Sequence, residues 1–144
     1  TCKAMGARLH LIEPLGFSLA DKYLKRAGMD YWKELEIFHY RNLNDFMIQN
    51  PHGQKVFLSQ KAKNRCDLFS YEPDVYLIFG KESVGLPEPL LRENTDTSVR
   101  VPMAPGTRSL NLANTVAILC YEVMRQQEFV TLAIRGKNDS AIQS

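Results

Sequence analysis

The sequence predicts an α/β fold, a mainly parallel sheet flanked by helices, from three observations. Short apolar runs bounded by turn residues alternate with stretches of helical periodicity, as in strands laid side by side and joined by helices. The run Val75-Tyr76-Leu77-Ile78-Phe79 is apolar throughout, as a strand covered on both faces must be. A long amphipathic pattern near the C-terminus places Leu112, Val116, Leu119, Cys120 and Val123 on one stripe.

The elements follow in order. Residues 9–12 form a short buried strand ending at Glu13-Pro14, and Ser18 caps a helix over 19–27 that Gly28 stops. Residues 37–40 form a second strand. A short helix over 44–49 ends at Asn50-Pro51, because the residue before a proline is pushed away from helical geometry. The His52-Gly53 turn leads into a strand at 55–58, and the clearest strand spans 74–79. A helix starts at Pro87, where proline suits the first turn and Glu88 complements the helix dipole. Residues 98–101 form the last strand, and the longest helix runs over 110–127. The polar segment 131–144, with Gly136-Lys137-Asn138-Asp139-Ser140, reads as a frayed tail, leaving 1–130 as a single domain.

At 144 residues and 44% hydrophobic content, the chain can bury a core without metals or disulfides. Its formal charge of +2, from 18 Lys and Arg against 16 Asp and Glu, is too small to mark a nucleic-acid binder by itself, so any RNA surface must be local. Cys2, Cys66 and Cys120 are odd in number and widely spaced, unlike the paired spacings of zinc or redox motifs. No metal is expected. With neither a bilayer-length apolar stretch nor the apolar core of a secretion signal, the expected location is the cytoplasm.

Two stretches carry the chemistry. Phe79-Gly80-Lys81-Glu82-Ser83-Val84-Gly85-Leu86-Pro87 directly follows the clearest strand. In open α/β folds ligands collect beyond the carboxyl ends of strands, and glycine there lets backbone approach a ligand closely. The plainer reading is a glycine turn with a solvated Glu82. Val101-Pro102-Met103-Ala104-Pro105-Gly106-Thr107-Arg108-Ser109-Leu110-Asn111-Leu112-Ala113-Asn114 is a stiff loop delivering Ser109 to a helix start, where backbone N–H groups can hold polar ligand atoms. Ser109 could equally be the N-cap alone, and for this residue the two roles are compatible.

In this order and at this separation, Phe-Gly-x-Glu-x-x-Gly-Leu-Pro and Pro-Met…Ser-Leu-Asn-Leu-Ala-Asn resemble the second and third motifs of the SPOUT superfamily of RNA methyltransferases. Arg8-Leu9-His10-Leu11-Ile12-Glu13-Pro14-Leu15-Gly16-Phe17, with Lys22…Arg26-Ala27-Gly28-Met29-Asp30-Tyr31, resembles the branch that methylates the ribose 2′-hydroxyl of cytidine or uridine 34 in tRNA. The similarity runs to about residue 127. It implies a deep C-terminal trefoil knot, which periodicity alone would not suggest because threaded chains are rare. It also implies S-adenosylmethionine as cofactor, held by Leu58, Gly80, Val101, Met103, Ser109 and Leu110, with Glu82 and Asn111 as the catalytic pair orienting the ribose. The implied partners are the tRNA anticodon region and a second copy of the chain, for which the stripe of the long helix is a reasonable face.

Lys22, Arg26, Arg108 and Tyr121 are the RNA-binding candidates. Lys22, Lys25 and Arg26 share one basic helix face, which without the family context would be an ordinary solvated face. Tyr121 contacts RNA, a second subunit or the core. His10, a lone histidine in a buried strand, reads as a core residue. The resemblance departs at the front, where the family has a strand and a Pro-Pro-Asn-Thr-Gly-Asn-like segment leading to a catalytic arginine. Thr1-Cys2 corresponds to the helix just after it, and neither Arg8 nor Arg108 substitutes by position. Three functional readings follow: an active methyltransferase on the tRNA wobble ribose or on another tRNA or rRNA site, a cofactor- or RNA-binding module without catalysis, and a Rossmann-like nucleotide binder. The last lacks a Gly-x-Gly-x-x-Gly turn after its first strand.

Overall fold

The structure, a computed structural model, describes residues 1–14 and 35–136. The helix expected over 19–27, with Lys22, Lys25 and Arg26, lies outside the described residues, as do 137–144. A one-turn helix α1 (Cys2–Met5) closes at Gly6, whose φ of 68° places it in the left-handed region. Strands β1 (Leu9–Ile12) and β2 (Ile37–Tyr40) stand where the apolar runs put them and pair in parallel, Leu9 opposite Ile37. Helix α2 (Leu43–Gln49) is capped by Asn42, whose side-chain oxygen accepts from Asp45 N at 2.8 Å and so satisfies an N–H the first turn cannot.

The second sheet has the order β4-β6-β3-β5, with β3 (Lys55–Leu58), β4 (Asn64–Arg65), β5 (Tyr76–Ile78) and β6 (Ser98–Arg100). Every pairing is parallel. Although β6 comes last in sequence, it lies between β3 and β4, with Phe57 opposite Ser98 and Asn64 opposite Val99.

Successive side chains of these strands face opposite sides. Val56 and Val99 pack in one core with Cys66, Tyr71 and the Leu119 and Val123 side chains of the long helix α4 (Leu112–Gln126); Val75, Leu77 and Phe79 pack against it. Phe57 and Ile78 join Tyr40 and Phe46 in a second core, against which Tyr76 packs with Leu90 and Leu91 of helix α3 (Glu88–Glu93). The run over 75–79 therefore contacts a core on each face, as its unbroken hydrophobicity implied, although its strand is only three residues long and stands at a sheet edge.

Two sequence expectations need correction, and one strand was not foreseen. The long helix begins at Leu112 rather than 110, capped by Asn111 and not by Ser109. Its stripe is consumed within the domain: Leu119, Cys120 and Val123 are buried, so that stripe is no dimer face. Strand β4 went unforeseen because Asn64-Arg65 has no apolar signal; Asn64 Nδ2 donates to Ser98 O at 3.0 Å and ties it to β6. His10 does pack among aromatic rings, stacked on Phe38 at 4.9 Å with Nδ1 2.9 Å from the Tyr40 hydroxyl. Burial, and secondarily Arg8, lowers its pKa from the usual histidine value. Beyond α4, Leu132 N donates to Phe129 O at 2.9 Å.

Candidate active site

Because β6, β3 and β5 are parallel neighbours, their carboxyl ends emerge on the same edge of the sheet. The segments that follow them, 59–61, 79–86 and 101–112, surround one cavity of ≈ 700 Å³. That volume lies within the range of about 300–1,000 Å³ typical of small-ligand pockets.

The segment after β5 folds back on itself. Lys81 and Gly85 form an antiparallel bridge, Gly85 N donating to Lys81 O at 2.9 Å, and Gly85 has a φ of 69°. A side chain at Gly80 would stand 2.2 Å from Gly85 C and 2.4 Å from Leu86 N. The close approach that requires glycine is therefore to the loop's own backbone, whereas the sequence suggested approach to a ligand. The result is a tight projection with Lys81, Glu82, Ser83 and Val84 exposed along the cavity. An ion pair from Lys61 to Glu88 ties the segment after β3 to the start of α3 and holds the Glu88 carboxyl below the usual range.

The segment after β6 turns at Gly106, φ 82°, with Thr107 N donating to Ala104 O at 3.2 Å. It ends at Asn111, whose side-chain oxygen accepts from Asn114 N at 3.3 Å while its carbonyl accepts from the Thr115 hydroxyl at 3.1 Å. Capping falls to Asn111, so Ser109 and Leu110 remain in the loop and line the cavity.

Leu58, Gly80, Glu82, Val101, Met103, Arg108, Ser109, Leu110 and Asn111 all border this one cavity. Separated by up to 53 positions in sequence, they are gathered by the parallel order of three strands. Apolar walls from Leu58, Phe79, Val101 and Met103 suit a flat base, and the polar rim of Glu82, Ser109 and Asn111 suits a ribose or an amino-acid group. These residues fit S-adenosylmethionine in size and in donor chemistry. Tyr121 stands elsewhere: it is 51% exposed, which removes core packing as its role, and borders a smaller cavity with Ala4, Phe129 and Leu132. Sequence reasoning missed Ser59, Gln60, Lys61, Leu91 and Thr115 as cavity residues. The strand-end rule that singled out 80–85 applies equally to 59–61 and would have found Ser59, Gln60 and Lys61. Among the described residues no group of His, Cys, Asp and Glu could hold a metal, and no helix is long and apolar enough to cross a membrane.

Comparison with known proteins agrees with this architecture. The model of the SpoU rRNA Methylase family matches residues 1–121. A Geobacillus stearothermophilus protein provisionally named a tRNA (cytidine(34)-2'-O)-methyltransferase is 45% identical over 132 residues, spanning 90% of this chain and 84% of that protein. A solved structure concerned with 2-OH methylation of C/U34 on tRNA superposes with a TM-score of 0.82 at 35% identity, covering 89% of this chain and 84% of that one. The AdoMet-bound rRNA methyltransferase from Sinorhizobium meliloti does so with a TM-score of 0.71 at 28% identity, covering 86% of this chain and 48% of that one. The chain belongs to the SpoU methylase family and has its α/β fold with the trefoil knot.

Proposed function

We propose that this protein transfers a methyl group from S-adenosylmethionine to the ribose 2′-hydroxyl of the wobble nucleotide, cytidine or uridine 34, of tRNA. The observation that carries the reading is the meeting of three strand-end segments around one cavity that holds every described cofactor and catalytic candidate. The specific target rests on the relatives whose names or subjects are position 34 of tRNA.

Bound S-adenosylmethionine supplies an electrophilic methyl group on a sulfonium. The protein's task is to align a hydroxyl oxygen behind that methyl, let the hydroxyl lose its proton and exclude competing water. In our reading, backbone groups at Leu58, Gly80, Val101, Met103, Ser109 and Leu110 hold the cofactor, while Glu82 and the Asn111 amide orient the ribose. The apolar side chains of Leu58, Phe79 and Val101 supply dry walls. Arg108 meets RNA phosphate at the rim, its guanidinium fork suiting a phosphate's paired oxygens.

Two copies of the chain pair, in the same proposal, through the face of α4 turned away from its core. Ile118 and Tyr121 are 40% and 51% exposed there, three residues apart and so neighbours on the helix surface, and Leu110 just before the helix is 37% exposed. Sedimentation equilibrium tests this pairing, and a monomer at micromolar concentration contradicts it.

Incubating the full-length protein with methyl-labelled S-adenosylmethionine and unmodified tRNA, followed by nuclease mapping, tests the reaction. Label on the ribose of nucleotide 34 is the expected result. Label on another nucleotide or on a base overturns the assignment, as does cofactor binding with no transfer.

A further inference from the structure

The cavity is bordered by two cations, Lys61 and Lys81, that its proposed chemistry does not use. Together with Arg108, they come one from each of the three segments, and all are exposed. With Glu82 as the only carboxylate among the lining residues, the lining carries a net +2, as large as the formal charge of the whole chain. Glu88 stands beside this lining, paired with Lys61. Neither Lys81 nor Arg108 makes an ion pair with another described residue. The side chain of Lys61 pairs with Glu88, both groups open to solvent at 71% and 51% exposure. An ion pair so exposed adds little to stability and exchanges readily for a better anion.

A nucleotide whose ribose enters the cavity carries a phosphate on either side of that ribose. We infer that Lys61 and Lys81 hold these two phosphates, and that Glu88 is a stand-in anion which keeps Lys61 in position until the RNA arrives. The inference rests on the proposal that a ribose of RNA is the methyl acceptor, and it assigns Lys61 and Lys81 as positioning residues. A lysine offers a compact charge with rotatable donors on a flexible stem, which suits an exchange of carboxylate for phosphate. Each phosphate contact releases condensed counterions, so each leaves a mark on the salt dependence of binding.

The test measures tRNA affinity against salt concentration, with S-adenosylhomocysteine present, for the full-length wild type and for Lys61→Ala, Lys81→Ala, Glu88→Gln and Lys63→Ala. Lys63 is an exposed neighbour in sequence that does not border the cavity. Lys61→Ala and Lys81→Ala are expected each to lower the slope of log affinity against log salt by about one and to raise the KM for tRNA about tenfold. Both should lower affinity for S-adenosylhomocysteine by less than they lower affinity for tRNA. Lys61→Arg should restore the slope, Lys63→Ala should leave it unaltered, and Glu88→Gln should hold or improve tRNA affinity. Unchanged slopes in both Ala variants overturn the inference, as does an equal loss in Lys63→Ala, which would mark a diffuse field. If Lys61→Ala and Glu88→Gln both weaken cofactor binding with the slope intact, the pair only shapes the cavity and the inference is overturned. Methyl transfer by the wild type is scored separately: its absence with the slopes altered as expected removes the proposed reaction and leaves the phosphate contacts standing.

Discussion

Gly80 shows how a single missing side chain shapes the cavity. A Cβ at Gly80 would meet backbone atoms of Gly85 and Leu86 at 2.2 and 2.4 Å, and neither can rotate away. Gly80→Ala is therefore expected to open the loop, costing about 1–3 kcal/mol in stability, as overpacking does elsewhere. It should also weaken S-adenosylhomocysteine binding at least about tenfold by calorimetry, a loss of roughly 1.4 kcal/mol. Gly85→Ala provides the contrast, since a Cβ there meets nothing within 4 Å and only the φ of 69° is strained; its cost should be no more than about 1–2 kcal/mol. If Gly80→Ala binds the cofactor product as tightly as wild type, the cavity does not depend on this loop. The sequence marked both glycines as a turn, but nothing local showed that one is required by a collision and the other by a dihedral angle. The collision depends on how the chain returns after Val84.

At the scale of elements, legibility followed the source of each element's stability. The strand Lys55–Leu58 was readable because burial of Val56 and Phe57 demanded apolar side chains, while Leu9–Ile12 and Ile37–Tyr40 were readable from apolar runs of which only Leu11 and Tyr40 are fully buried. Strand β4 was not, because Asn64-Arg65 is held by backbone pairing and an amide contact to Ser98. The start of α4 was misread by two residues because Ser109 and Asn111 are both good caps, and only the structure shows which one turns its side chain back on the helix. Asn111 thus combines a capping oxygen with an amide proposed to orient the ribose, and two substitutions separate these roles. Asn111→Ala is expected to cost about 1 kcal/mol in thermal or urea unfolding, whereas Asn111→Asp, which also caps, should cost little. Both should lower kcat by about tenfold or more, since neither retains the amide donor. An Asn111→Asp protein with wild-type kcat would confine the residue to capping.

For the whole molecule, the strand order brings the site together. With β3 central and β6 inserted between it and β4, segments distant in sequence open onto one edge. The alternation of apolar runs and helices revealed the fold class but not this insertion, which is a property of strand order and leaves no periodic trace. The motif resemblance supplied the knot and the cofactor, and the strand order came only from the structure. A crystal structure of the protein with S-adenosylhomocysteine would show whether these three strand ends form one cofactor cavity. The ligand is expected to be enclosed by residues 58–61, 80–86 and 101–112, with hydrogen bonds to backbone at Gly80 and Leu110. Ligand bound instead at the smaller cavity beside Tyr121 and Phe129, or contacting only one of the three segments, would contradict it.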